Sequence, residues 1–225
     1  VCGNFATCKQ TITVNDQTPP SIACPANVTV SCASQVPAVN LGAVNANDNC
    51  GPAIKEHAGD VTSNKICDNR YTLSRTYKAT DACGKTATCK QTILVNDQTA
   101  PTIACPAKTT VACASQVPAV NLAELTANDN CGGTVSKAHT GDVVSNKTCD
   151  NRYTLTRSFK ATDACGKTAT CTQIIKVDDQ TAPAITCPAN TTVSCASEVP
   201  PVSLPGVTLS DNCGGPVTKA FSGDV

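Results

Sequence analysis

Apolar and polar positions alternate with a period of two in several short stretches of this chain, and no segment sustains the 3.6-residue period of an amphipathic helix. From Thr72 to Thr80 the polar residues fall on one side, with Tyr71, Leu73, Tyr77 and Ala79 on the other. This pattern predicts a half-buried strand. Arg75 interrupts the apolar side; the expectation is a position near a sheet edge, where its stem packs and its head reaches water. The turn Cys83-Gly84-Lys85 follows. Ala87, Cys89, Ile93 and Val95 alternate next, so a second strand returns antiparallel. Val28 and Val30 alternate near the start, and Val44 and Ala46 lie on a strand that ends in the turn cluster Asp48-Asn49-Cys50-Gly51. Several short strands of this kind within roughly 80 residues predict an antiparallel β-sandwich.

The pattern repeats. Asp16-Gln17-Thr18-Pro19-Pro20 returns as Asp97-Gln98-Thr99-Ala100-Pro101 and again as Asp179-Gln180-Thr181-Ala182-Pro183, a period of 81 and then 82 residues. Every cysteine obeys it: Cys24, Cys32, Cys50, Cys67, Cys83 and Cys89 form one set, and Cys105, Cys113, Cys131, Cys149, Cys165 and Cys171 the next. The expected organisation is residues 1–15 as the last strand of one repeat, 16–96 and 97–178 as two whole repeats, and 179–225 as the first part of another. Cys2 and Cys8 match the last two cysteines of a set, and Cys187, Cys195 and Cys213 the first three. These five are expected to be unpaired, with the chain read as a window on a longer tandem array.

Composition sharpens this picture. The chain has 225 residues, 17 of them cysteine, with no Trp or Met and 3% aromatics. Few large side chains are available for a core, so crosslinks are expected to compensate, which implies an oxidising, extracellular or cell-surface compartment. Seventeen basic residues balance seventeen acidic ones, which argues against nucleic acid as the partner. No apolar run approaches the ~18–20 residues of a membrane span, so no membrane insertion is expected of this segment. No Cys-x-x-Cys occurs and His is scarce, so zinc is not expected.

The residues carry a resemblance. Asp-x-Thr-x-Pro-x-Ile-x-Cys-Pro, then Asp-Asn-Cys, then Ala-Thr-Asp-x-Cys-Gly, then a strand Cys and Val-x-Asp resemble the hyalin-repeat (HYR) group. Closer still are the cysteine-rich immunoglobulin-like repeats of giant secreted surface adhesins of Bacteroidota. The resemblance spans essentially the whole chain and implies an all-β fold of tandem immunoglobulin or fibronectin-III-like sandwiches, extracellular, with adhesive or spacer roles. Six cysteines alone allow fifteen connectivities. Laid on an immunoglobulin-like strand order, they imply three disulfides per repeat: Cys24–Cys89, Cys32–Cys67 and Cys50–Cys83, with Cys105–Cys171, Cys113–Cys149 and Cys131–Cys165 as equivalents.

Three aspartates recur per repeat: Asp16, Asp48 and Asp81; Asp97, Asp129 and Asp163; and Asp179 and Asp211 in the last part. Linker and loop carboxylates together would suit Ca²⁺ at the repeat junctions, since Ca²⁺ takes oxygen ligands. The linker is loosely similar to the Asn-Asp linkers of cadherins. Caps on turns are the other use of such residues. His57 and His139 share one repeat position that Phe221 fills in the last part, so packing or surface placement is expected there. Asn27, Asn146 and Asn190 fit the glycosylation sequon. No catalytic motif is present, and no enzyme activity or required cofactor is expected. The expected function is a disulfide-stapled stalk or adhesin on a bacterial surface. The alternatives are a subunit of an extracellular filament or sheath, and a discrete module recognising protein or glycan. Expected partners are further repeats of the same kind in cis, other chains in a filament, and a surface protein or glycan.

Overall fold

β-Branched and aromatic residues on one side of strands such as Arg70–Thr80 and Thr86–Asn96, and Gly, Asp and Asn between strands, give a chain built from hairpins. The computed structural model describes residues 2–223; Val1, Asp224 and Val225, the outermost residues of the expected 1–15 and 179–225 segments, lie outside them. Packing divides the chain into two units. The first comprises Val1–Thr99 with Asp129–Thr134 and Asp163–Lys167. The second comprises Ala100–Asn128, Val135–Thr162 and Thr168–Val225.

The first unit holds strands β1 (Ser21–Ala23), β2 (Val28–Val30), β3 (Asn45–Asn47), β4 (Ile54–Cys67), β5 (Arg70–Thr80) and β6 (Thr86–Asn96). β1 and β3 pair antiparallel, and a four-stranded sheet runs in the order β2-β6-β5-β4. β4, β5 and β6 are joined as antiparallel hairpins, while β2 lies parallel to β6, with Val30 opposite Val95. In β5 the buried positions are Leu73, Arg75, Tyr77 and Ala79, and in β6 Gln91, Ile93 and Val95. Val44 closes the core from the segment before β3. Burying such a side chain is worth about 1.5–3 kcal/mol, so this short list makes crosslinks matter.

The second unit repeats the plan with β7 (Thr102–Ala104), β8 (Thr109–Val111), β9 (Thr126–Asn128), β10 (Ser136–Cys149), β11 (Arg152–Thr162) and β12 (Thr168–Asp178), its sheet ordered β8-β12-β11-β10. Leu125, Leu155, Phe159, Ala161, Ile175 and Val177 form its core. A last antiparallel pair, β13 (Ala184–Thr186) and β14 (Thr208–Ser210), belongs to this unit as well. A single 3-10 turn follows Cys32, Cys113 and Cys195, at Ala33–Gln35, Ala114–Gln116 and Ala196–Glu198.

Arg75 departs from its expected place. β5 is a central strand, flanked by β4 and β6, and the guanidinium is buried. It is satisfied within the protein: Nε and Nη2 donate to the Asp60 carboxylate at 3.0–3.3 Å, and Nη1 donates to the Pro37 carbonyl at 2.7 Å. A β-bulge in β4, between His57 and Gly59, sets Asp60 directly across from Arg75. Arg157, Asp142 and the Pro118 carbonyl repeat the arrangement in the second unit. His57 and His139 bond the same two aspartates, at 2.8 and 2.7 Å, and lie against Tyr77 and Phe159.

Candidate functional site

The site grows from the Asp-Asn-Cys turn that ends each short third strand. Asp48 Oδ2 accepts a hydrogen bond from the Cys50 amide at 2.9 Å, and Asp129 Oδ2 does the same for Cys131. Asp211 Oδ1 accepts from the Cys213 amide at 2.9 Å. The intervening Asn turns its amide onto the cysteine sulfur: Asn49 to Cys50 at 2.9 Å, Asn130 to Cys131 at 3.0 Å and Asn212 to Cys213 at 3.2 Å. Each repeat's linker aspartate caps its own turn, Asp16 Oδ1 taking the Thr18 amide, Asp97 Oδ1 that of Thr99 and Asp179 Oδ1 that of Thr181. On the β5–β6 turn, Asp81 Oδ1 accepts from the amides of Cys83 and Lys85, both at 2.8 Å; Asp163 repeats this with Cys165 and Lys167.

These carboxylates are half used. One oxygen caps a turn, and the other is left buried without a partner in Asp16 (Oδ2), Asp48 (Oδ1), Asp81 (Oδ2), Asp129 (Oδ1) and Asp163 (Oδ2). Turn chemistry and cation binding are therefore not rival uses of these residues. Ligand atoms lie within 4.8 Å of one another in the groups Asp16–Asp48–Cys50, Asp97–Asp129–Cys131 and Asp179–Asp211–Cys213. Asp81 and Asp163 are outside those groups. The Thr18 amide holds the Asp16 carboxyl below the usual range, with Asn49 and Cys50 adding to this against partial desolvation. Desolvation and the adjacent Asp16 and Asp48 charges push the Cys50 thiol up.

The cysteines pair in a pattern that local strand order does not give. Cys24 is bonded to Cys89 and Cys105 to Cys171, with Cα atoms 5.7 and 5.8 Å apart, tying the end of β1 to β6 and of β7 to β12. Cys32 is bonded to Cys131 and not to Cys67; Cys67 is bonded to Cys165; and Cys113 is bonded to Cys213 and not to Cys149. The expected pairs Cys32–Cys67, Cys113–Cys149 and Cys131–Cys165 are thus replaced, and the expected pair Cys50–Cys83 is not formed, both cysteines being free. The physical reason is where the sulfurs lie. The parallel pairing of β2 with β6 and the hairpin from β4 into β5 bring Cys32 and Cys67 to the end of the sheet from which the Asp97 linker leaves. The first compact unit includes the loops Asp129–Thr134 and Asp163–Lys167, which carry Cys131 and Cys165. Lys167 Nζ reaches Gln98 Oε1 at 3.0 Å, and Asn130 Nδ2 reaches Cys32 Sγ at 3.6 Å, so the next repeat's loops are held at the linker. Cys213 is therefore not among the free cysteines. Those are Cys2, Cys8, Cys50, Cys83, Cys149, Cys187 and Cys195, all exposed.

The sulfurs of Cys131 and Cys213 are consumed in disulfides, so neither offers a thiolate. What remains in those two groups is a pair of carboxylates, a donor set suited to a hard cation and not to a thiolate-seeking metal.

Five disulfides in two compact all-β units define a disulfide-crosslinked tandem repeat protein of an oxidising, extracellular-type environment. Residues 20–95 and 101–177 each match the model of the "HYR-like domain with 4 cysteines", and the chain belongs to that family. Among solved structures, the chain is similar to a protocadherin gammaB7 EC3-6 cis-dimer, with 14% identity, a TM-score of 0.31, and 76% of this chain and 54% of that chain covered. It is also similar to PcdhgB3 EC1-4, with 16% identity, a TM-score of 0.31 and the same coverages. Drosophila N-cadherin EC1-4 shows 12% identity, a TM-score of 0.30, and 71% and 49% covered. The chain spans about half the length of these matched structures. Among the described residues, no helix is long and apolar enough to cross a membrane.

Proposed function

We propose that this chain is a force-bearing segment of an extracellular adhesin or stalk at a bacterial cell surface, of the kind carried by giant secreted proteins of Bacteroidota, and that it works without catalysis. The observation that carries this reading is the overlap of the disulfide loops. The loops 24–89, 32–131, 67–165, 105–171 and 113–213 each overlap the next, so no backbone bond from Cys24 to Cys213 lies outside a crosslinked loop. A small-core domain gains stability from one such bond; overlap between consecutive repeats adds resistance to extension. Further repeats in cis are the first partners, and a surface protein or glycan is what the array as a whole would grip. Immunogold labelling of intact cells with antibodies to this chain, imaged by electron microscopy, should decorate thin threads rooted at the surface. Labelling confined to the cell interior would overturn the reading.

A second reading, as a subunit of an extracellular filament or sheath, is favoured by one observation. β4 and β10, 14 residues each, are edge strands of their sheets and expose Val61, Ile66, Val143 and Val144. Such edges can template pairing with another chain. Label on regular fibres of constant width would favour this reading over single threads.

Calcium is proposed as a ligand of the paired carboxylates, Asp97 with Asp129, Asp16 with Asp48, and Asp179 with Asp211. Two carboxylates fall short of the 6–8 oxygens Ca²⁺ takes, so backbone and water would complete the shell, and affinity should be in the extracellular range of about 10⁻⁴–10⁻³ M. Millimolar CaCl₂ should raise the melting temperature, with Asp129→Asn reducing the shift. An identical melting curve in CaCl₂ and in chelator would remove calcium from the account.

A further inference from the structure

Three residues that distinguish the second repeat from the first line one cleft. All of its walls come from the 97–178 repeat, and it encloses about 350 Å³, at the small end of the ~300–1,000 Å³ range of small-ligand pockets. Its floor is buried: Arg157, Phe159 and Gln173 are 6%, 1% and 8% exposed. Pro118 forms one wall, fixed by Arg157 Nη1, which donates to its carbonyl at 2.8 Å. Lys108 and Glu124 stand exposed on the rim.

Lys108 stands where the first repeat has Asn27, Glu124 where it has Ala43, and Phe159 where it has Tyr77. Each exchange changes what the cleft can bond. In the first repeat the Tyr77 hydroxyl donates to Gln91 Oε1 at 3.4 Å. Phe159 has no hydroxyl, and among the described residues no donor meets Gln173 Oε1, while Gln173 Nε2 donates to the Ala107 carbonyl at 3.3 Å. Side chains buried to this degree rarely leave an acceptor unused. Asn27 spends its side-chain oxygen on the Thr92 amide at 2.7 Å; Lys108 brings an ammonium donor instead. Ala43 has no polar side chain, whereas the Glu124 carboxylate is steadied by Asn121, whose Nδ2 donates to Oε1 at 3.0 Å and leaves Oε2 for another donor.

We infer that this cleft binds the terminal hexopyranose ring of a surface glycan through Gln173, Glu124 and Lys108, and that the first repeat has no such site. The inference deepens the adhesin reading and rests on it. A sugar ring supplies what these groups lack. Its hydroxyls donate to the Gln173 and Glu124 oxygens and accept from the Lys108 ammonium, and its face of C–H groups packs against Pro118. One cation and one anion on the rim cancel, so a neutral ring suits the cleft better than an ion of either sign.

The test is the whole chain, isotope-labelled and followed by NMR at its backbone amides. It is titrated with the methyl glycosides of glucose, galactose, mannose and N-acetylglucosamine, with the free sugars, and with alanine. The expected result is saturable shifts at residues 107–109, 119–125 and Gln173 with at least one glycoside, and none at their counterparts 26–28, 38–44 and Gln91. Phe159→Tyr, which copies the first repeat and returns a hydroxyl to the glutamine, should weaken binding about tenfold, the scale of one net hydrogen bond. Asn27→Lys, Ala43→Glu and Tyr77→Phe together should confer the same shifts on the first repeat. The inference is overturned by no saturable shift with any glycoside, by equal shifts in both native repeats, or by a response to free reducing sugars alone. It is also overturned if alanine replaces the glycosides as ligand, if Phe159→Tyr binds as well as the native chain, or if the grafted first repeat stays silent. Each of these leaves the adhesin reading standing when immunogold label still decorates surface threads; label confined to the cell interior removes that reading and the glycan with it.

Discussion

Stretched between its two ends with the disulfides intact and the free thiols blocked, the chain is expected to reach a full length about 560 Å shorter than after reduction. The shortest covalent route from Cys24 to Cys213 passes through the bond to Cys89, runs sixteen residues to Cys105 and eight more to Cys113, and passes through the bond to Cys213. The backbone between the same two residues is 189 residues long. Each extended residue spans roughly 3.3–3.6 Å, so the bonds withhold most of the chain from any pull. Bonds confined to single repeats would act differently. Cys24–Cys89 and Cys105–Cys171 leave sixteen residues between Cys89 and Cys105 and forty-two from Cys171 to Cys213. They would withhold about 450 Å. Single-molecule force spectroscopy before and after reductant separates the two cases, and a gain near the smaller figure would contradict linkage between repeats.

Replacing Arg75 with Met is expected to destabilise the chain by about 3 kcal/mol, at the lower end of the range for breaking a buried ion pair. The loss comes from what is left behind. Asp60 would keep its charge beside an apolar side chain, and the Pro37 carbonyl would lose its donor. The estimate sits low in the range because Asp60 is 29% exposed and water reaches it. Arg75→Lys should fall between, since an ammonium cannot serve both carboxylate oxygens and the carbonyl in one plane. Acid supplies a second readout. Hydrogen bonds from Arg75 hold the Asp60 carboxyl below the usual range, against partial burial, with His57 assisting. A depressed folded pKa contributes stability that is complete above the unfolded value, about 3.9, and disappears as pH falls through the folded value. The native chain should therefore lose this contribution below about pH 4, and R75M should show a flatter acid limb. Denaturant unfolding at several pH values checks both, and a change within about 0.5 kcal/mol, the range of an ordinary surface substitution, would mean the pair is not structural.

The strands that alternate were legible in the residues themselves. Leu73, Tyr77 and Ala79 in β5, and Ile93 and Val95 in β6, face the core as their period of two implies. β4 was not, although it is as long as any strand in the chain. From Ile54 to Cys67 it lies at a sheet edge with nearly every side chain exposed, and its bulges break the period. Without a buried side there is no pattern to read. Arg75 was misplaced for the same reason: its partner Asp60 is on that strand, brought opposite by the bulge between His57 and Gly59.

The aspartates that share a site were legible in part. Asp16 and Asp48, and Asp97 and Asp129, come together, while Asp81 and Asp163 cap their own turns outside the groups. The cysteine pairing was the least legible. A period of 81 residues looks the same whether Cys32 bonds within its own repeat or to the next, because both choices copy faithfully along the array. Only the position of the sulfurs decides, and that follows from β2 lying parallel to β6 and from the loops that pack against the linker.

Linkage of consecutive repeats is the claim on which the mechanical reading stands, and a disulfide map of the non-reduced chain tests it most directly. With free thiols alkylated before digestion, mass spectrometry should find Cys32 linked to Cys131, Cys67 to Cys165 and Cys113 to Cys213. Peptides linking Cys32 to Cys67, Cys113 to Cys149 and Cys131 to Cys165 in their place would contradict it, since each repeat would then be closed on itself.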